Sequence, residues 1–201
     1  MTFLLRFGSV GGVLAGLALG VPGVLESFTG KTTLTGLFLG VSPFLALPLV
    51  VALYLSQARA AGRLATVGYP VILVGTGLFG AAAYTKDIAL IHLDDAVVTR
   101  LLDGPARVAF LGSAAVFIAG AVLFGLSMVR AGVLPRVPAW GFTLVLPVFA
   151  VVAGLPYGPY KGIMHALAAT VLIWLAVSLP AETPDGPQAS LEAVRSGRAT
   201  G

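Results

Sequence analysis

The chain has 201 residues, of which 58% are hydrophobic and 10% are charged, and its formal net charge is +4. A soluble domain carries about 25% charged residues, so this composition predicts that lipid covers most of the surface. The absence of cysteine excludes disulfides, thiolate metal sites and thiol catalysis. Nucleic acid is not a predicted partner, because the basic residues stand in ones and twos between apolar runs and form no continuous patch.

Six apolar runs are long enough to cross a bilayer, which takes about 20 residues. Because lipid offers no partner for backbone N–H and C=O groups, each run is predicted to be a helix. The predicted spans are residues 7–25, 34–55, 64–84, 108–129, 138–155 and 161–179. The predicted fold class is therefore all-α, a polytopic membrane protein whose six-helix domain covers residues 1–180. Residues 181–201 are rich in Pro, Gly and small polar residues, which predicts a disordered cytoplasmic tail.

The first two spans carry glycines four residues apart, which places them on one face of each helix. Such faces let helix backbones approach closely. The predicted packing residues are Gly8, Gly12, Gly16 and Gly20 in the first span, and Gly36 and Gly40 in the second. We expect packing within the chain, with a homo-oligomer or a partner membrane subunit as the alternative. Gly11 is expected to point elsewhere.

Pro43 and Pro48 interrupt the second span, and Pro147 interrupts the fifth. Each proline removes an i to i−4 hydrogen bond and tends to kink its helix. These spans are the central helices of two three-helix halves, and broken helices in corresponding positions point to the midplane site of a transporter. Proline is also commoner in membrane helices in general, so both interpretations stay open.

The stretch KDIALIHLDDAVVTRLLDGPAR, residues 86–107, is unusually polar for this chain. Asp94 and Asp95 suit the N-terminus of a helix. Gly104 suits its end, and Pro105 suits the start of the next helix. In a helix, the residues between them would form one apolar face and one polar face, which predicts one external amphipathic helix in the membrane interface.

A polar set is predicted to gather at the external end of the fold, near this stretch. Its candidate members are Glu26, His92, Asp94, Asp95, Tyr157, Tyr160, Lys161 and His165. A cation on the loop carboxylates, or a haem between His92 and His165, is a less favoured alternative to a solvated loop, because the spacing matches no metal motif. We therefore predict no metal site and no cofactor.

Orientation follows from the basic residues in the short loops. Arg59 with Arg63, and Arg130 with Arg136, face one side with no acidic residue between them, which favours the cytoplasm for that side. An even number of spans places both termini there. The predicted location is the cytoplasmic (inner) membrane.

Two segments carry a family resemblance: QARAAGRLATVGYPVILVGTGLFGAAAY and LFGLSMVRAGVLPRVPAWGFTLVL. They resemble uncharacterised multi-pass membrane proteins of high-GC actinobacteria, in which an R-A-G-x-L-P-R-W-like turn joins two late spans. Here Val137 and Pro138 follow Arg136, where that pattern has an aromatic residue. The resemblance implies a six-helix protein of the cytoplasmic membrane and no particular activity.

The function predicted from the sequence is that of a non-enzymatic packing or assembly protein of the cytoplasmic membrane. The alternative is a small transporter or permeability module with an outward-facing cavity. No catalytic residue is predicted, because no Ser/His/Asp set, paired carboxylates or phosphate loop is visible. The middles of the spans contain no Asp, Glu, Lys or Arg, which argues against a proton-coupled pump.

Overall fold

A computed structural model of the chain describes residues 2–60, 62–155, 158 and 160–180. Within these ranges the structure is helical and contains no β-strand. Its elements are α1 (Thr2–Thr29), α2 (Thr33–Gln57), α3 (Gly62–Tyr84), a π-helical turn (Thr85–Ala89), α4 (Asp95–Leu101), α5 (Pro105–Ala131), α6 (Arg136–Ala153) and α7 (Tyr160–Val177). The predicted tail, residues 181–201, lies outside the described residues.

Six of the described helices are long and apolar enough to cross a membrane, namely α1, α2, α3 with its π-helical turn, α5, α6 and α7. The predicted all-α fold with six span-length helices is therefore confirmed. The boundaries differ at the ends. Helix α1 begins at Thr2 and α5 at Pro105, before the apolar runs begin, because a helix continues through polar residues that end a hydropathy window.

The six long helices form a closed ring in which each packs against two neighbours. Helix α1 contacts α2, α2 contacts α3, α3 contacts α5, α5 contacts α6, α6 contacts α7, and α7 returns to α1. Short connections make α1 antiparallel to α2, α2 to α3, α5 to α6, and α6 to α7. The inside of the ring is apolar, and large apolar side chains such as Phe3, Val108 and Val177 are exposed on its outside.

Glycines bring α1 close to both of its neighbours. Gly8 lies against Ala52 of α2, whereas Gly16 and Gly20 lie against Ala169 of α7. Gly12 meets both helices. These contacts are all within the chain, and Gly16 and Gly20 also line an open groove of about 410 Å³ between α1 and α7.

The expectation for Gly11 was wrong. Gly11 is buried, and a Cβ atom there would lie 3.0 Å from the Leu45 carbonyl oxygen and 3.2 Å from Cβ of Pro48. The reason is that α1 sits between two helices, so its buried arc is wider than a single four-residue stripe. On α2, Gly36 lies against the backbone of Asp87, and Gly40 against Ile88 and Tyr84.

The prolines inside the spans do not divide the helices. Helix α2 stays helical through Pro43 and Pro48, and α6 through Pro147. Pro43 lacks the N–H group that would bond to the Leu39 carbonyl oxygen, and the Ser42 hydroxyl donates to that oxygen instead at 2.9 Å. A neighbouring side chain thus satisfies the backbone group that the proline leaves free.

The polar stretch before α5 contains the short helix α4. Asp94 occupies its N-cap position but makes no side-chain capping hydrogen bond. The helix ends at Leu101, earlier than Gly104, which was predicted to end it. Gly104 has φ 68° and leads into α5, where Pro105 is the first residue. The left-handed backbone of this turn is one that glycine adopts without strain.

Candidate functional site

Charged and polar side chains meet at one end of the ring, where α1 joins α2, α3 leads into α4, and α6 joins α7. We call this set the ionic cluster. Its members are Glu26, Lys31, Thr35, Lys86, Asp87, Lys161 and His165. We call this the cluster end of the ring. The opposite end, which carries the Arg59–Arg63 and Arg130–Arg136 turns, is the arginine end.

Glu26 is held at the junction of α1 and α2. Its side chain is only 6% exposed, and its Oε1 accepts a hydrogen bond of 2.7 Å from the Thr35 hydroxyl. Thr35 also takes part in a capping box with Thr32, the N-cap residue of α2. The cap therefore fixes Thr35, and Thr35 fixes the carboxylate.

A salt bridge ties this junction to the π-helical turn. Lys31 Nζ lies 2.7 Å from Asp87 Oδ1. Gly36 lies against the Asp87 carbonyl group, where any Cβ atom would collide with it. The absence of a side chain at Gly36 thus lets the π-helical turn pack onto α2 and brings Asp87 within reach of Lys31. Such π-helical turns are frequent at functional sites.

Two lysines converge on one carbonyl group at the C-terminus of α6. Lys86 Nζ lies 3.4 Å from the Ala153 carbonyl oxygen, and Lys161 Nζ lies 3.3 Å from the same atom. The last carbonyl groups of a helix have no partner within the helix, and they form the negative end of its dipole. Both cations therefore lie where the backbone attracts positive charge.

His165 lies one turn along α7 from Lys161. Its Nδ1 is 2.6 Å from the Lys161 carbonyl oxygen, and since a carbonyl group can only accept, Nδ1 carries the proton. The imidazole packs edge-to-face on Phe149, with ring centroids 5.2 Å apart. It also lies against Gly23 of α1, where a Cβ atom would overlap the ring. His165 thus bridges α6 and α1 inside the ring of helices.

A cavity of about 50 Å³ lies near the middle of the ring, and all six long helices line it. One lining residue from each, in chain order, is Leu19, Ser42, Thr76, Phe117, Phe149 and Leu172. Ser42 and Thr76 bring hydroxyl groups to a wall that is otherwise apolar. This volume is enough for a few water molecules.

The ionic cluster lies directly over this cavity along the axis of the ring. Lys161, His165 and Leu172 follow one another on α7 at intervals of four and seven residues, so they share one helix face. Glu26 and Leu19 are seven residues apart on α1 and share a face in the same way. Since Leu19 and Leu172 line the cavity, the inward faces of both helices run from the cavity to the cluster.

On the other side of the cavity the ring is filled with apolar side chains. We call this region the packed half and define it by four fully buried residues, Leu49, Leu53, Phe124 and Met128. Beyond Leu53 on α2 lies Gln57, which is 1% exposed. Neither Nε2 nor Oε1 of Gln57 has a hydrogen-bond partner among the described residues.

The structure brings together only part of the predicted polar set. Glu26, Lys161 and His165 meet in the ionic cluster. His92 and Asp94 are exposed in the loop before α4, and Tyr160 is 38% exposed at the start of α7. Tyr157 and the side chain of Asp95 lie outside the described part of the chain. In that part no three His, Asp or Glu side chains are grouped so that they could hold a metal ion.

Four members of the cluster were not predicted as site residues: Lys31, Thr35, Lys86 and Asp87. The sequence does contain a signal for them. The chain has three lysines, at positions 31, 86 and 161, and each lies within three residues of the end of a predicted span, on the same side. Only Lys161 was predicted to join the polar set, whereas the fold gathers all three lysines at one end.

Comparisons of the chain with protein-family models, curated proteins and solved structures found no match. The resemblance of the two arginine-bearing segments to actinobacterial membrane proteins stays a prediction. Any functional argument therefore depends on the geometry of the ionic cluster, the cavity and the packed half.

Proposed function

We propose that this protein is a small transport or permeability module of the cytoplasmic membrane, which receives a small solute from the outside through the ionic cluster. The observation that carries the proposal is the order of features along the ring axis. Polar groups at the cluster end lead to a cavity lined by every span-length helix, and the packed half closes the other side. A site near the midplane that is closed on one side fits one state of an alternating-access protein.

Pro43 supports the same proposal. It lines the cavity and lacks the backbone hydrogen bond to Leu39, which a rotatable side-chain bond from Ser42 replaces. A helix in which a side-chain hydrogen bond replaces a backbone hydrogen bond bends more easily than one with all of its backbone hydrogen bonds. Flexibility next to the cavity is what opening of the cavity requires.

The alternative, a protein whose main role is assembly, is less favoured by the glycine contacts. An exposed glycine face would favour assembly, whereas Gly8, Gly12, Gly16 and Gly20 pack against α2 and α7 of the same chain. The proposed module is non-enzymatic, and its surroundings are the lipid bilayer. Exposed apolar side chains around the ring, such as Phe3 and Val108, are consistent with lipid contact.

The proposed orientation places the cluster end outside and both termini in the cytoplasm. The arginine end carries Arg59, Arg63, Arg130 and Arg136 in its two short turns, and the positive-inside rule assigns such turns to the cytoplasm. Helix α4 then lies on the outside, where we place it in the membrane interface. A cysteine introduced at Thr99 should react with an impermeant reagent added outside intact cells, and one at Ser196 should not.

Solute flux tests the proposed activity. Vesicles containing the purified protein and the potassium carrier valinomycin are mixed with glycerol, urea or potassium phosphate, and the rate of volume recovery is followed by light scattering. At least one solute should enter faster than in protein-free vesicles. Ala46→Phe, which places a large side chain in the cavity wall, should return the rate to the protein-free value. Equal rates in wild-type and protein-free vesicles for all three solutes would contradict the proposal.

A further inference from the structure

We infer that the ionic cluster binds the carboxylate or phosphate group of a small anion between Lys86 and Lys161. The role of this anion as the solute depends on the proposed transport function, whereas its binding depends only on the cluster. The inference comes from the charge balance of the cluster, from the hydrogen-bond donors of the two lysines and from their common position.

The cluster holds more positive than negative charge. Three lysines, Lys31, Lys86 and Lys161, stand beside two carboxylates, Glu26 and Asp87. The Lys31–Asp87 salt bridge occupies one charge of each sign. Among the described residues no carboxylate lies within salt-bridge distance of Lys86 or Lys161. Counting Glu26, the cluster keeps one positive charge in excess. A partly buried charge without a counter-charge is unfavourable, so the cluster attracts an anion and repels a cation.

The two ammonium groups also have N–H donors that make no hydrogen bond to the described residues. Each has three N–H donors, and the one acceptor described for each is the Ala153 carbonyl oxygen. These contacts, at 3.4 Å and 3.3 Å, are longer than the usual length of about 2.9 Å. Four N–H groups are thus without an acceptor among the described residues, and two oxygens of one anion would accept from both lysines.

The position of the lysines makes this arrangement possible. Because both nitrogens contact the same carbonyl oxygen, their separation cannot exceed the sum of the two contact distances. A helix C-terminus carries only about half a negative charge. The end of α6 therefore explains why the lysines converge but does not neutralise them, and a bridging carboxylate or phosphate group supplies the missing charge.

Thermal unfolding of the full-length protein in an uncharged detergent tests the inference. Sodium acetate, sodium phosphate and glycine are added separately, with sodium chloride keeping the ionic strength constant. A ligand that binds the folded state raises the unfolding midpoint, and we expect acetate or phosphate to raise it by about 3 °C near saturation. Lys86→Gln and Lys161→Gln should each abolish this rise.

Two matched variants separate the site from general effects of charge. Lys161→Arg keeps the positive charge and should keep the anion effect. Arg100→Gln removes an exposed positive charge from α4 and should also keep it. The inference is overturned if acetate, phosphate and the anionic lipid phosphatidylglycerol all fail to raise the midpoint, if glycine alone does so, or if Lys86→Gln and Lys161→Gln respond like the wild type.

Mixed micelles with phosphatidylglycerol identify the source of the anionic group. Stabilisation by this lipid that depends on both lysines, without a response to acetate or phosphate, supports a lipid headgroup as the bound phosphate. The flux assay separates the two proposals. Anion binding without flux would support the binding site and contradict the transport function. Flux without lysine-dependent anion binding would support the transport function and contradict the binding site.

Discussion

The two halves of the ring interior are built by the same six helices and are filled in opposite ways. Towards the arginine end, Leu49, Leu53, Phe124 and Met128 are fully buried, and Phe142 packs edge-to-face on Phe124 with ring centroids 6.0 Å apart. Towards the cluster end, the cavity and the ionic cluster replace such packing. Packing alone would favour apolar filling throughout. The proposed function accounts for the difference, because it assigns binding to the polar half and stability to the packed half.

The largest effect should come from truncating the packed half. Phe124→Ala removes a fully buried ring and should lower the free energy of unfolding by about 3–5 kcal/mol. Phe117→Ala, which only enlarges the existing cavity, should cost less because part of the space around that ring is already empty. Denaturant unfolding in detergent compares them, and equal losses would mean that the two halves are packed alike.

A second test sharpens the role of glycine in holding α1 in the ring. Gly8→Ala should destabilise the protein by about 1–3 kcal/mol, because the new methyl group meets Ala52 and the backbone of Pro48. Gly112→Ala is the matched control in α5, since nothing lies within 4 Å of its Cβ position. It should stabilise the protein by up to about 1 kcal/mol through helix propensity. Changes of the same sign at both positions would refute the close approach of α1 and α2.

Removing one hydroxyl group should weaken the cluster end. Thr35→Val takes away the donor to the buried Glu26 carboxylate and should cost about 1–2 kcal/mol. Thr33→Val, an exposed position in the same first turn of α2, makes the same substitution without that contact. Thermal unfolding of both variants measures the difference, and we expect Thr33→Val to stay close to the wild type.

The smallest effect should have the opposite sign. Gln57 is buried, and its amide atoms have no partner among the described residues. Gln57→Met keeps the length of the side chain and removes the unsatisfied polar atoms, so it should raise the free energy of unfolding by about 1 kcal/mol. A loss of stability in the same unfolding assay would show that Gln57 has a partner that the packed half needs.

Hydropathy alone predicts the six span-length helices, because an apolar run of sufficient length has few alternatives to a membrane helix. The parity of the spans also places Glu26, Lys161 and His165 at one end. Glu26 and His165 each lie seven residues from a cavity-lining leucine. This relation can be recognised only once the inward face of each helix is known.

What the sequence does not predict depends on contacts between distant segments. The Lys86 and Lys161 contacts to the Ala153 carbonyl oxygen join three parts of the chain. Every residue has a backbone carbonyl group, so the sequence does not indicate which one will accept a hydrogen bond. The error for Gly11 has a similar cause. A four-residue spacing identifies one face of α1, but the width of the buried arc depends on how many helices pack around it.

Cysteine accessibility tests the central claim most directly, since the chain has no native cysteine. Ser42 lines the cavity, whereas Ser127 is buried in α5 towards the arginine end. The hydroxyl group of each serine donates a hydrogen bond to the carbonyl group three residues earlier. Ser42→Cys and Ser127→Cys are therefore matched substitutions. A small impermeant thiol reagent added outside intact cells should modify Ser42→Cys and leave Ser127→Cys unmodified. If Ser42→Cys reacts no faster than Ser127→Cys, the cavity is not reached from the cluster end, and the proposed module is wrong.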